Sequence, residues 1–95
     1  FKDNLYFDLA KHANQQADKL REAFRKIGVS FWMETSTNQL FPILSNLQIE
    51  RLAQDIDFHL WRKIDHEHSA IRLITSWATT DKQVEELMKN IQKLQ

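Results

Sequence analysis

The chain has 95 residues, of which 42% are hydrophobic and 27% are charged, a composition typical of one small globular domain rather than a disordered segment. Lysine plus arginine number 13 and aspartate plus glutamate number 13, so the zero net charge does not favour nucleic acid or an anionic membrane as a partner. Cysteine is absent, which excludes disulfides and thiolate chemistry, and no apolar run reaches the ~18 residues of a membrane span. We therefore expect a cytoplasmic location.

The first element is predicted to be a long amphipathic helix. Its apolar residues recur at spacings of three and four and so share one face: Leu9, Ala13, Ala17, Leu20, Phe24 and Ile27. The helix is predicted to end at Gly28, because glycine adopts the left-handed conformation that follows a last helical turn. Basic residues alternate with acids at the other positions, which indicates a solvated face: Lys11, Lys19, Arg21, Arg25 and Lys26.

After Gly28 the hydrophobic period changes to two, which predicts two strands. The first covers Val29–Met33, and a polar turn leads to the second at Leu40–Leu44. Pro42 has no N–H for a ladder, so the second strand is predicted to be an edge strand or to be bulged there. The polar side chains before and within the turn are interpreted as turn chemistry rather than as an acid–base set: Glu34, Thr35 and Thr37.

Two capping boxes mark the remaining helices. Residues 45–48 (SNLQ) predict the start of a short helix that ends near Asp55, and residues 80–83 (TDKQ) predict the start of the last helix.

Two further strands lie between these helices. They cover Phe58–Ile64 and Ala70–Trp77, and a polar hairpin loop over 65–69 joins them. The predicted order is helix, two strands, helix, two strands, helix. This order predicts an α+β fold with a small antiparallel sheet and helices on one face.

Both faces of this sheet carry apolar side chains. One face is predicted to be buried beneath the helices: Phe31, Met33, Phe58, Leu60, Ile71 and Leu73. The other is predicted to present large and charged side chains: Trp32, Trp61, Arg72 and Ile74. A lone domain rarely exposes such a patch, so this second face is interpreted as a docking surface. An error of one residue in strand register would exchange the two faces.

The histidines form no recognisable metal or catalytic site. His66-Glu67-His68 brings two imidazoles and a carboxylate close in sequence, but alternate residues of a hairpin loop diverge. A solvated turn is therefore the favoured interpretation. His12 and His59 have no partner that the sequence can identify, and they are interpreted as surface or half-buried polar residues.

Arg72 is the strongest candidate for a binding residue. It lies between Ile71 and Leu73 in an apolar strand, on the face predicted to carry the tryptophans. A guanidinium buried there needs an anion, because an unpaired buried charge is costly. That anion could be an internal glutamate, or it could be the carboxylate or phosphate of a ligand.

Two stretches of the chain resemble a known enzyme family. Residues 31–42 (FWMETSTNQLFP) are similar to part of the C-terminal small domain of the pyridoxal-phosphate-dependent threonine aldolases and their beta-eliminating lyase relatives. Residues 71–79 (IRLITSWAT) resemble the family's arginine-bearing strand and the approach to its last helix. The helix that ends at Gly28 fits the segment that leads into this domain, so the resemblance covers nearly the whole chain.

The resemblance implies that residues 1–95 form the C-terminal small domain of a fold-type-I pyridoxal phosphate enzyme. The large domain, which in the family binds the cofactor and supplies its lysine, is expected to lie outside this sequence, so the chain would be a fragment without activity. The parent would be a lyase that converts a β-hydroxy-α-amino acid, such as L-threonine or allo-threonine, to glycine and an aldehyde. Arg72 occupies the family's position for the substrate α-carboxylate, and the resemblance assigns no catalytic, cofactor-binding or metal residue to this sequence.

The partners implied are the chain's own large domain, the amino-acid substrate and further copies of the parent, since family members are commonly homotetramers. Nucleic acid and membrane are not expected. The alternative is a free-standing α+β interaction or regulatory module, which would bind a carboxylate ligand or a protein partner through the same face.

Overall fold

Antiparallel pairing around one long strand organises the fold. The structure, a computed structural model, describes residues 3–95. The elements within that range follow in chain order: α1 (Asp3–Lys26), β1 (Gln39–Leu40), β2 (Ile43–Ser45), α2 (Asn46–Ala53), β3 (His59–Lys63), β4 (His68–Ile74) and α3 (Asp81–Gln92). Strand β4 is central, with β1 and β2 along one edge and β3 along the other. The predicted α+β class with an antiparallel sheet is confirmed.

Helix α1 buries the predicted apolar stripe and ends where the sequence indicates. Ala17, Leu20 and Phe24 are almost fully buried, and Gly28 follows the helix with φ of 81°. The prediction of a solvated face was wrong for Arg21, which is only 4% exposed. Arg21 lies four residues after Ala17 and three before Phe24, so helical geometry places it on the buried stripe.

The segment Val29–Met33 does not form the predicted strand. Phe31 makes an isolated antiparallel bridge with Pro42, and the flanking bonds run from Trp32 N–H to the Phe41 carbonyl and from Ile43 N–H to the Ser30 carbonyl. A single bridge therefore replaces the predicted strand.

The predicted strand Leu40–Leu44 is interrupted at its centre. Leu40 lies opposite Leu73 and Ile43 opposite Ala70, so β1 and β2 follow one continuous register along β4. The break falls at residues 41–42 because Pro42 cannot donate to a ladder, although its carbonyl accepts from Ile71 N–H at 3.1 Å. The irregularity predicted at Pro42 is confirmed.

The second pair of strands forms the predicted hairpin with shifted bounds. Strand β4 begins at His68 rather than Ala70 and ends at Ile74 rather than Trp77. The turn is tighter than predicted because the Asp65 carboxylate accepts from the N–H groups of Glu67 and His68.

The core lies between the helices and one face of the sheet. It contains the following buried residues: Ala17, Leu20, Ala23, Phe24, Leu40, Leu44, Leu52, Ile71, Leu73, Val84, Ile91 and Leu94. Phe31 and Phe58 are partly buried against this core, as predicted.

Met33 and Leu60 were predicted to be buried on the same face, and this prediction was wrong. Met33 is 43% exposed because the segment that carries it leaves the sheet after the bridge at Phe31. Leu60 lies opposite Ile71 but is 69% exposed, because β3 is an edge strand in which all five residues are exposed.

Both capping boxes are confirmed. Ser45 and Thr80 each accept from the backbone N–H three residues later, and Gln48 and Gln83 reach back to the cap N–H groups. Helix α2 ends at Ala53, two residues before the predicted end. Within the described residues, none of the helices has the length and apolar character needed to cross a membrane.

Candidate anion-binding site

A cluster of aromatic rings covers the sheet on the side away from the helices. The ring centroids of Trp61 and Phe41 lie 5.3 Å apart, and Trp32 is 6.0 Å from Trp61 and 5.7 Å from Phe41. Phe41 is buried beneath the two tryptophans, which are 36% and 39% exposed. We call the surface formed by Trp32, Trp61, Arg72 and Ile74 the outer face, and its composition agrees with the sequence prediction.

Arg72 lies on this outer face without an anionic partner in the part of the chain that the structure describes. Its guanidinium carbon is 5.5 Å from the centroid of the Trp61 ring, a cation–π contact. Within residues 3–95 the side chain forms no hydrogen bond or ion pair, and its Nε is buried without an acceptor. An internal glutamate was one of the two partners left open by the sequence, and the described residues provide none.

A shallow depression of about 220 Å³ adjoins Arg72. It is lined by the end of the segment before β3, by β3 and by β4: Asp57, Phe58, His59, Arg72 and Ile74. We call it the Arg72 depression. His59 is the direct register partner of Arg72 across the β3–β4 pair. Local sequence patterns do not predict this pairing, because it depends on the register of the two strands, which shifts at a bulge between Leu60 and Arg62.

The arrangement suits a small planar anion. A guanidinium presents a fixed fork of N–H donors that matches both oxygens of a carboxylate. The Trp61 ring lies against the guanidinium and limits its conformational freedom, so the side chain is preorganised for a ligand. Phe58 and Ile74 add apolar walls to the depression.

A larger groove lies between α1 and α3, but it offers no comparable chemistry. Its volume is about 390 Å³, and its lining combines apolar side chains with solvated charged ones: Ala23, Lys26, Ile27, Glu85, Met88, Lys89, Gln92 and Gln95. The two buried side-chain atoms without a partner in the described residues, Gln16 Oε1 and Arg72 Nε, belong to other parts of the molecule. We therefore place the candidate site at Arg72 and not at this groove.

His12 belongs to a polar cluster that joins α1 to the start of α3. Its Nε2 donates to the Thr79 carbonyl at 2.8 Å, and the Gln16 amide donates to the same carbonyl and to the Asp81 carboxylate. The pKa of Asp81 lies below its ordinary value, mainly because of the Gln16 hydrogen bond and secondarily because of Lys19 at 3.4 Å. The half-buried role predicted for His12 holds, and its contacts are structural.

Arg21 is a second arginine that sequence reasoning misjudged. Its guanidinium donates to the Thr35 hydroxyl at 2.9 Å, to the carbonyls of Thr37 and Gln39, and to the Asp18 carboxylate at 2.6 Å. This set of bonds fastens the turn at 35–39 to α1. The predicted turn chemistry of Thr35 and Thr37 is confirmed, whereas Glu34 forms an ion pair with Arg25.

The hairpin loop at 65–68 is a turn closed by its own side chains. His68 Nδ1 lies 3.0 Å from the Asp65 carboxylate, and the pKa of Asp65 is lowered chiefly by the Glu67 N–H and then by His68. Within the described part of the chain, no three histidine, aspartate or glutamate side chains converge as a metal site would require.

Comparison with known proteins places this fold. No protein-family model and no curated protein sequence matches the chain. Among solved structures, the threonine aldolase of Leishmania major superimposes with a TM-score of 0.93 over 98% of this chain, at 34% sequence identity. The serine palmitoyltransferase of Sphingomonas wittichii superimposes with a TM-score of 0.69 over 88% of the chain, and at 17% identity it supports the fold alone.

The two neighbours share one class of fold with this chain, a small α+β domain that forms part of a longer chain. More particularly, the chain resembles a threonine aldolase, as the two sequence stretches predict. It spans 27% of the length of the aldolase and 23% of the transferase. The role of Arg72 stays a prediction, since the comparison assigns no residues.

Proposed function

We propose that this chain is the small domain of a lyase that cleaves a β-hydroxy-α-amino acid, L-threonine or allo-threonine, to glycine and an aldehyde. Arg72 binds the substrate α-carboxylate in this proposal. The single observation that carries it is the unpaired Arg72 guanidinium, held against Trp61 at the mouth of a small depression, in a domain similar to one from a threonine aldolase.

The glycine content of this chain bears on whether the domain itself would bind the phosphate of the cofactor. A phosphate cradle needs glycines that let backbone N–H groups approach the anion. The sequence has one glycine, Gly28, and it ends α1. The described residues fit the carboxylate of an amino acid rather than the cofactor, so a separate large domain would bind pyridoxal phosphate. When bound there, the cofactor supplies the electron sink for cleavage of the Cα–Cβ bond.

The outer face then packs against that large domain. Trp77, just beyond β4, and Ile74 at its end are 66% and 51% exposed, and a soluble domain rarely leaves such groups together in water. Packing here would bring the Arg72 depression to the domain boundary, where ligand sites commonly form. Water would be excluded around Arg72, which strengthens its attraction for a carboxylate.

The visible absorption spectrum of the full-length gene product tests the proposed function. A yellow protein whose spectrum changes with L-threonine, and which releases glycine in a product assay, is the expected result. The 95-residue chain alone should show neither the colour nor the turnover.

Two other outcomes would contradict parts of the proposal. A yellow protein whose spectrum does not change with threonine would support a pyridoxal phosphate enzyme that acts on another substrate. A colourless protein, or a gene product no longer than this chain, overturns the enzyme proposal and favours a free-standing module that binds a carboxylate ligand or a protein.

A further inference from the structure

His59 lies beside Arg72 on the outer face of the sheet. The two residues are direct partners in the register of β3 and β4. Directly opposite residues of an antiparallel pair point to the same side, with Cβ atoms about 4.5–5.5 Å apart. Both also line the Arg72 depression, so any molecule in that depression meets both side chains.

Neither side chain has a hydrogen-bonding or charged partner among the residues that the structure describes. His59 is exposed and forms no hydrogen bond or ion pair within residues 3–95, and Arg72 likewise lacks an acceptor. Asp57, the acid on the rim of the depression, is exposed and pairs with neither of them. Two adjacent donors without an acceptor indicate a ligand that offers acceptors to both.

We propose, on the basis of the proposed function, that His59 donates a hydrogen bond to the same α-carboxylate that Arg72 binds. A carboxylate has two oxygens with about four acceptor positions, enough for the guanidinium fork and one imidazole N–H together. The small domain then recognises the carboxylate with two side chains from neighbouring strands. His59 selects for a charged carboxylate over a neutral amide, because an amide replaces one acceptor oxygen by a donor NH₂.

The test compares two ligands that differ only at this group. Glycine and glycinamide are titrated into the cofactor-loaded full-length protein, and each dissociation constant is read from the change in cofactor absorption. The variants are His59→Leu, which removes the donor, and His59→Gln, which keeps one. His66→Leu on the hairpin loop is the matched control, because it makes the same chemical change away from the depression.

His59→Leu is expected to weaken glycine binding about tenfold, the effect of losing one hydrogen bond to a charged group. The dissociation constant of glycinamide should stay within about twofold, a range too small to reflect a lost hydrogen bond. His59→Gln should recover part of the glycine affinity, and His66→Leu should match the wild type. All variants should load cofactor equally, which shows that the cofactor-binding domain is intact, and unchanged glycinamide binding shows that the small domain still completes the site.

Three results would overturn the assignment of His59. Unchanged glycine binding in His59→Leu would show that the imidazole does not contact the ligand. Equal weakening of glycine and glycinamide binding in His59→Leu would show that His59 does not act through the carboxylate. A wild-type protein that loads cofactor but ignores glycine would overturn the proposed function, and the assignment of His59 with it.

Discussion

Arg72 concentrates the chemistry of the domain in one side chain. A buried unpaired donor costs about 1–3 kcal/mol, so an orphaned Arg72 Nε is a cost that a bound anion or a packed partner domain can offset. The Trp61 ring keeps the guanidinium in a defined place through a cation–π contact. The planar fork, rather than its charge alone, is therefore what the proposed site requires.

The variant Arg72→Lys separates the fork from the charge. In the full-length enzyme, kcat/KM for L-threonine should fall by about tenfold to a hundredfold, because an ammonium cannot make the paired bonds of a guanidinium. Cofactor loading, read from visible absorption, should not change. Arg51→Lys, on the exposed side of α2, is the control for the same exchange elsewhere. Unchanged kcat/KM in Arg72→Lys would remove Arg72 from the site.

Arg21 has the opposite role, because its guanidinium donates to groups inside the domain. Arg21→Met should lower the free energy of unfolding by about 2–3 kcal/mol, since the Thr37 carbonyl and the Thr35 hydroxyl lose their donor and the Gln39 carbonyl loses one of two. Urea unfolding of the chain measures this. Arg25→Met removes a half-exposed ion pair with Glu34 and should cost less than about 1 kcal/mol. Equal losses in the two variants would show that burial does not distinguish the arginines.

At the scale of elements, the helices were more predictable than the strands. The α1 stripe, the Gly28 terminus and both capping boxes depend on contacts within a few residues, so the sequence contains the information directly. The strand at Val29–Met33 failed because alternation shows only that a segment can pair, whereas pairing needs a partner elsewhere in the chain. The exposure of Leu60 follows from its place at a sheet edge, which no local pattern specifies.

The candidate site was likewise predictable only where it depends on local sequence. Arg72 was identifiable because an arginine in an apolar strand is chemically unusual. Its pairing with His59 depends on the β3–β4 register and its bulge, which the sequence does not encode locally. The burial of Gln16 and Arg21 could have been predicted, because both share the spacing of the α1 stripe, but their polarity masked that pattern.

The junction of α1 and α3 gives the domain a pH-dependent contact. The pKa of Asp81 is lowered by the Gln16 hydrogen bond and by Lys19, so its contribution to stability is present above the ordinary carboxyl range, near pH 4. It is lost as the pH falls through the lowered pKa, because the unfolded state binds the proton first.

The difference in unfolding midpoint between the wild type and Asp81→Asn should therefore be largest at neutral pH and should shrink below about pH 4. Urea unfolding across that pH range measures it, and shifts from other carboxylates such as Asp65 cancel in the difference. Glu86→Gln, exposed on the same helix, controls for the loss of one negative charge. A difference that does not vary with pH would show that the ionised form of Asp81 does not stabilise the junction.

At the scale of the whole molecule, the uneven distribution of apolar surface is the main feature. One side of the sheet is covered by helices, and the other exposes Ile74 and, just beyond β4, Trp77. Leu60 is exposed as well, at the β3 edge of the covered side. Strand β3 also leaves an unpaired edge next to these groups. A domain with this surface, separated from a packing partner, should associate with itself.

The isolated chain should therefore bind a hydrophobic dye such as ANS and should form concentration-dependent oligomers in sedimentation experiments. The double variant Leu60→Lys and Ile74→Lys should reduce both signals and leave the urea midpoint nearly unchanged, because both side chains are already more than half exposed. Leu47→Lys, at a similarly exposed position on α2, should change neither signal. A wild-type chain that stays monomeric and dye-silent at high concentration would show that the outer face needs no partner, and it would leave Arg72 to act within a free-standing module.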